Sequence, residues 1–262
     1  MDTPEALLFT DLHGEEANLE DVLADGLDGD VSARVPGLVR LLRTGPEHQL
    51  PAAILLLGWG QPEGFDALHR WAAAPDQVPW RDKPWTWDRF SGDDDAFGRL
   101  AWAVEQSKWL PEDSDLKARQ LFAFRALLAI SGQVYVGRAL GEALAAQPWL
   151  AAGLVGELGE ALAAGARALE LQDSRALRFQ MAALIAPLAL VDGAAAARAA
   201  AWVRCGADSR TLRELASALG RGRGGYVEAA LSELVASEDP LVAEEARKSL
   251  TRARGPGRAS PV

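Results

Sequence analysis

Residues 52–73 read AAILLLGWGQPEGFDALHRWAA, and the fold follows from how this stretch is divided. The alanine-leucine run is helical in composition and stops at Gly58-Trp59-Gly60. Gly60-Gln61-Pro62 then punctuates the chain, because glycine closes helices and proline is tolerated in a first helical turn. Beyond it Phe65, Leu68 and Trp71 recur at helical spacing and give a second helix one apolar face. Two short antiparallel helices joined by a tight turn are therefore expected.

The same pattern extends in both directions. Upstream, Val31, Val35, Leu38, Val39, Leu41 and Leu42 mark a helix with Asp28 or Asp30 as its cap, broken at Thr44-Gly45-Pro46. Downstream, helical signals cover 114–131, 134–146, 149–171, 174–190, 194–204, 209–220, 225–236 and 240–253. The final GPGRASPV reads as an unstructured tail over 255–262.

With its Leu-Gly helix end, Pro-Glu turn and Ala-Leu second helix, the 52–73 stretch resembles the HEAT-repeat consensus. ALLAISGQVYVGRALGEALAAQP at 126–148 echoes it, with Gly132-Gln133 standing where Gly60-Gln61 stood. ASALGRGRGGYVEAALSELVASEDP at 216–240 is a looser copy, leading into DPLVAEEARKSL. The resemblance implies an all-α fold, an irregular HEAT-like α-solenoid of antiparallel helix pairs. The expected organisation is an acidic segment over 1–30, a HEAT-like domain over 31–254 and the tail.

One region breaks the pattern. Residues 74–98, APDQVPWRDKPWTWDRFSGDDDAFG, carry Pro75, Pro79 and Pro84, three tryptophans and three consecutive aspartates. Long interruptions in compact domains are often functional, and three indoles argue against disorder. An ordered insertion is expected, with Asp93 to Asp95 capping the next helix, FGRLAWAVEQSKWL. Trp80, Trp85, Trp87, Arg89, Asp93, Asp94 and Asp95 are the candidate partner-binding residues, because tryptophan and arginine are enriched at binding hot spots. Trp59, Trp71, Trp149 and Trp202 are expected in the core instead. The rings of the insertion also have a packing reading, in which they pin the segment down with Trp102 and Trp109.

Charge is distributed unevenly. The formal net charge is −10, and residues 1–30 hold ten carboxylates with no lysine or arginine. The remaining 27 acids equal the 27 basic residues, so the whole excess sits in that segment. An acidic arm favours a basic protein partner and argues against nucleic acid as the main ligand. HEAT-like DNA glycosylases present Lys/Arg-rich surfaces, whereas residues 31–262 are balanced and RGRGG at 221–225 reads as a turn. No stretch is long and apolar enough for a membrane span, and MDTPEALL lacks the basic start of a secretory signal, so a cytoplasmic protein is expected. The excess of arginine over lysine and the abundant alanine suit a bacterial genome. The single Cys205 excludes an intramolecular disulfide and reads as a small buried thiol.

The opening EALLFTDLHGEEANLEDVL, residues 5–23, raises a competing reading. Around residues 7–14, Asp11, His13 and Gly14 are similar to the first motif of metallophosphoesterases, where Asp and His ligate metal beyond a strand. Such enzymes need a Gly-Asn-His motif and further histidines; neither His48 nor His69 lies in one, and the alternating strands are missing. HEAT-like hydroxylases bind iron through repeated His-Glu pairs, and His13-Gly14-Glu15 with Glu47-His48 does not supply the required number or order. No nucleophile motif, phosphate-binding loop, cofactor or metal set is nominated. The expected function is non-catalytic protein binding, as an adaptor or an immunity-type protein with a basic partner. An enzyme on a helical scaffold, metal hydrolase or nucleic-acid repair protein, is the alternative.

Overall fold

A computed structural model describes residues 3–81, 83–86 and 94–255. Secondary structure among them is helical: fifteen α-helices, short 3-10 turns and no strand. Thr10 and Glu16 form an isolated antiparallel bridge. The chain divides into two units, Met1–Leu127 and Leu128–Val262, with helix α7 (Ser114–Ile130) running across the division.

The first unit is built around α4 (Pro46–Gly58), in which Leu50 and every residue from Ala52 to Gly58 are buried. A helix apolar on all sides must be enclosed on all sides. Its neighbours are α1 (Pro4–Phe9), α2 (Leu19–Asp28), α3 (Val35–Leu41), α5 (Pro62–Ala73) and α6 (Ala96–Gln106). The α4–α5 turn explains the sequence that announced it. The Gln61 amide donates to the Leu56 carbonyl and the Gly60 amide to the Leu57 carbonyl. This is the Schellman arrangement, and Gly60 takes the left-handed conformation it demands, φ +68°. Gly64 serves the same hairpin differently: a Cβ there would lie 2.7 Å from the Leu57 nitrogen, so the two helices touch through backbone.

The acidic segment packs onto this unit. Leu7, Leu8, Leu19, Val22 and Leu23 are buried, and the Trp59 indole donates to the Leu23 carbonyl at 3.0 Å. Phe9 and Leu12, which share that apolar pattern, remain exposed. The helix expected from Val31 begins at Val35, because the Asp30 carboxylate accepts from the Ser32 amide and holds a turn instead of capping a helix.

The second unit surrounds α11 (Arg175–Val191), buried continuously from Gln180 to Ala189. Around it stand α8 (Ala139–Ala146), α9 (Pro148–Gly153), α10 (Val155–Leu171), α12 (Gly193–Arg204) and α13 (Ser209–Leu219). Helices α14 (Gly225–Val235) and α15 (Pro240–Arg254) pack on each other, on α12 and α13. Ser174, Asp192, Asp208 and Asp239 cap α11, α12, α13 and α15 with side-chain oxygens that accept first-turn amides.

Several sequence expectations are corrected here. The 149–171 helix is divided at Leu154 into α9 and α10. The 134–146 helix is only α8; residues 131–138 form a loop held from elsewhere. Gln180 of α11 is 1% exposed, and its Oε1 accepts from the Val136 and Gly137 amides at 2.5 and 3.0 Å. Its Nε2 donates to the Ser131 carbonyl at 2.5 Å. Cys205 is exposed at the end of α12, where the Arg178 guanidinium holds its carbonyl. Trp149 and Trp202 are exposed rather than core.

Candidate functional site

The Trp/Pro segment is reached from α5 by a 3-10 turn at Pro75–Gln77. Trp80 is fully buried, edge-on to Trp71 at 5.1 Å and to Phe97 of α6 at 5.2 Å. It therefore anchors the segment and presents nothing to a partner, which corrects its place among the binding residues. Trp85, 42% exposed, is displayed. Thr86, buried beside it, donates its hydroxyl to the Lys83 carbonyl and accepts the Asp95 amide through its own carbonyl. The cap of α6 is divided between two residues. Asp94 supplies the carboxylate, accepting the Ala96 amide at 3.0 Å, while the Asp95 carbonyl accepts from the Arg99 amide. Trp87, Arg89 and Asp93 lie outside the described residues. Farther on, Trp102 is half-buried and Trp109 is exposed beneath the Lys108 ammonium.

The Asp-x-His-Gly stretch has a structural occupation. The Asp11 carboxylate accepts from the amides of His13 and Glu15 at 2.9 and 2.8 Å, and Gly14 completes the turn at φ +91°. The bond from Glu15, then that from His13, hold the Asp11 carboxyl below the usual carboxylate range. Arg34, buried at the start of α3, donates to the carbonyls of Thr10 and Asp11, both at 2.5 Å. The loop is thus gripped by its main chain, and its side chains face outward. Glu5, Glu15, Glu16, Glu20, Asp21, Asp28 and Asp30 are all exposed, with Phe9 and Leu12 among them. Among the described residues no three of His, Cys, Asp and Glu gather as a metal-ligand cluster, and no helix is long and apolar enough to cross a membrane.

Each unit holds a concavity among its described residues. In the second unit a groove of about 360 Å³ runs between α12 and α14. Ala194, Ala197 and Ala201 form one wall, Tyr226, Ala229 and Ala230 the other, over Leu215 and Leu219 of α13. An Arg204–Glu233 ion pair spans it. In the first unit a cleft of about 480 Å³ lies between α3 and α5, lined by Val39, Leu42, Arg43, Glu63, Asp66, His69 and Arg70. Helix α5 sets Glu63, Asp66 and Arg70 at i, i+3 and i+7, which is one stripe of its surface. Sequence reasoning missed this cleft. The charge spacing on α5 was readable, but its meeting with Arg43 depends on how α3 and α5 lie against α4.

Comparison of the chain with protein-family models, with curated proteins and with solved structures finds no match.

Proposed function

We propose that this chain is a non-catalytic protein-interaction module, an adaptor or immunity-type protein, that binds a basic partner through the surface of its first thirty residues. The reading rests on one observation. Seven exposed carboxylates share the first thirty residues with exposed Phe9 and Leu12, in a segment without a single lysine or arginine. Exposed apolar side chains together with charge of one sign offer contact area and long-range attraction for a cationic surface. Helices α1 and α2 pack this segment down, so the partner would meet a preformed surface and association would not include the cost of ordering it. Paired helices with a Schellman turn at Gly60 support a HEAT-like arrangement as the scaffold. The exposed free thiol of Cys205 suits a reducing, cytoplasmic setting.

The test is comparative capture. The immobilised chain, and a variant with Glu5, Glu15, Glu16, Glu20 and Asp28 changed to their amides, are exposed to a bacterial lysate at about 50 mM and about 0.5 M salt. A protein of net positive charge retained by the natural chain at low salt, and lost from the variant and at high salt, is expected. Equal retention by the variant, or no retained protein, refutes the proposal.

A further inference from the structure

The α3/α5 cleft has a property that its outline alone does not convey. Among the described residues, none of Arg43, Glu63, Asp66 and Arg70 forms an ion pair, although all four line the same space. Among the described residues, the one hydrogen bond made by their side chains is long: Arg70 Nε donates to the Asp66 carbonyl at 3.4 Å, which leaves both Asp66 carboxylate oxygens unspent. Opposite charges are brought into one concavity and are not used to neutralise each other.

The two guanidiniums and two carboxylates of the lining balance each other in charge. A simple anion drawn to the arginines meets two carboxylates, and a simple cation meets two guanidiniums. A ligand carrying both signs a few ångströms apart satisfies both sets through charge-assisted hydrogen bonds. Val39 and Leu42 add an apolar wall on the α3 side, suited to an aliphatic side chain. His69 closes the α5 side with its ring edge-on to Phe122 at 5.5 Å, Nε2 buried and without a partner. The volume, about 480 Å³, falls within the range of small-molecule sites.

We propose that the α3/α5 cleft binds a small zwitterion with an aliphatic side chain, a free α-amino acid or a dipeptide. Its carboxylate is held by Arg43 and Arg70, and its ammonium by Glu63 and Asp66. The proposal is independent of the acidic surface and its partner.

Titration calorimetry on the full chain tests it with L-leucine and glycyl-leucine as probes. Isovalerate and isoamylamine, which keep the aliphatic body and only one charge, are the controls, with inorganic phosphate as a third. Saturable binding of at least one zwitterion near millimolar strength or tighter is expected, with each control at least about tenfold weaker. Arg43→Gln and Asp66→Asn, both at exposed positions, each weaken binding about tenfold or more while leaving the circular dichroism unchanged. No heat from either zwitterion overturns the proposal. So does a control that binds as well, or a folded variant that binds like the natural chain.

Discussion

Changing Gln180 to leucine removes a side chain that holds residues 131–138 onto α11. In the natural chain its amide meets three backbone groups within 3.0 Å: the amides of Val136 and Gly137 and the carbonyl of Ser131. Leucine has similar volume, so little cavity forms, and the cost is that of stranding polar groups. Each buried donor or acceptor left unpaired costs about 1–3 kcal/mol. Three such groups set an upper bound near 9 kcal/mol, which the loop can reduce by opening to water. Once the loop has moved, about 3 kcal/mol should remain, a large share of the roughly 5–15 kcal/mol by which domains are stable. For a chain of this size that lowers the melting temperature by about 6–12 °C. Two measurements check this: calorimetric melting, and hydrogen exchange at Val136 and Gly137, whose amides should lose protection ahead of the rest of the second unit. A loss below about 1 kcal/mol with both amides still protected would refute the staple.

Trp80→Ala should cost about 3–5 kcal/mol, because it empties the space between Trp71 and Phe97, whereas Trp85→Ala should stay within about 0.5 kcal/mol. Trp80→Phe should cost much less than Trp80→Ala, since the indole nitrogen it removes is buried without a partner; urea titration ranks all three. Gly64→Ala should destabilise by about 1–3 kcal/mol in the same assay, its Cβ lying 2.7 Å from backbone that has no rotamer to change. Glu214 tests the opposite sign. Burial raises its carboxyl above the usual glutamate value despite Arg138, 3.3 Å away, so folding favours the protonated form. That contribution is present at low pH and lost as pH rises through the folded value. Glu214→Gln should therefore match or exceed the natural chain in melting temperature at neutral pH, the difference vanishing in acid; a variant clearly weaker at neutral pH contradicts this.

The sequence carried the helices where composition contrasts with its surroundings. The α4–α5 hairpin was legible in full, because the Gly-Trp-Gly-Gln-Pro run encodes its turn chemistry locally. The 131–138 loop was not. Val136 and Leu140 keep helix-compatible i, i+4 spacing, and the residue that overrides it lies more than forty positions away. Trp202 and Cys205 were misplaced because seven of the twelve residues of α12 are alanine, and alanine marks no face as inner or outer. The sequence leaves Trp80 open between display and packing, because Phe97 and Trp71, which close over it, come from two different helices. The cleft between α3 and α5 was hidden for a related reason, since its charges belong to separate segments joined only by packing.

Arg34 fastens the Asp11 loop through the carbonyls of Thr10 and Asp11 and asks nothing of the side chains of His13, Glu15 and Glu16, while Gly14 supplies the turn. Anchor and display are thereby uncoupled. The side chains of His13, Glu15 and Glu16 can be rewritten with the foundations of the loop undisturbed. An engineer grafting a foreign recognition peptide would begin there.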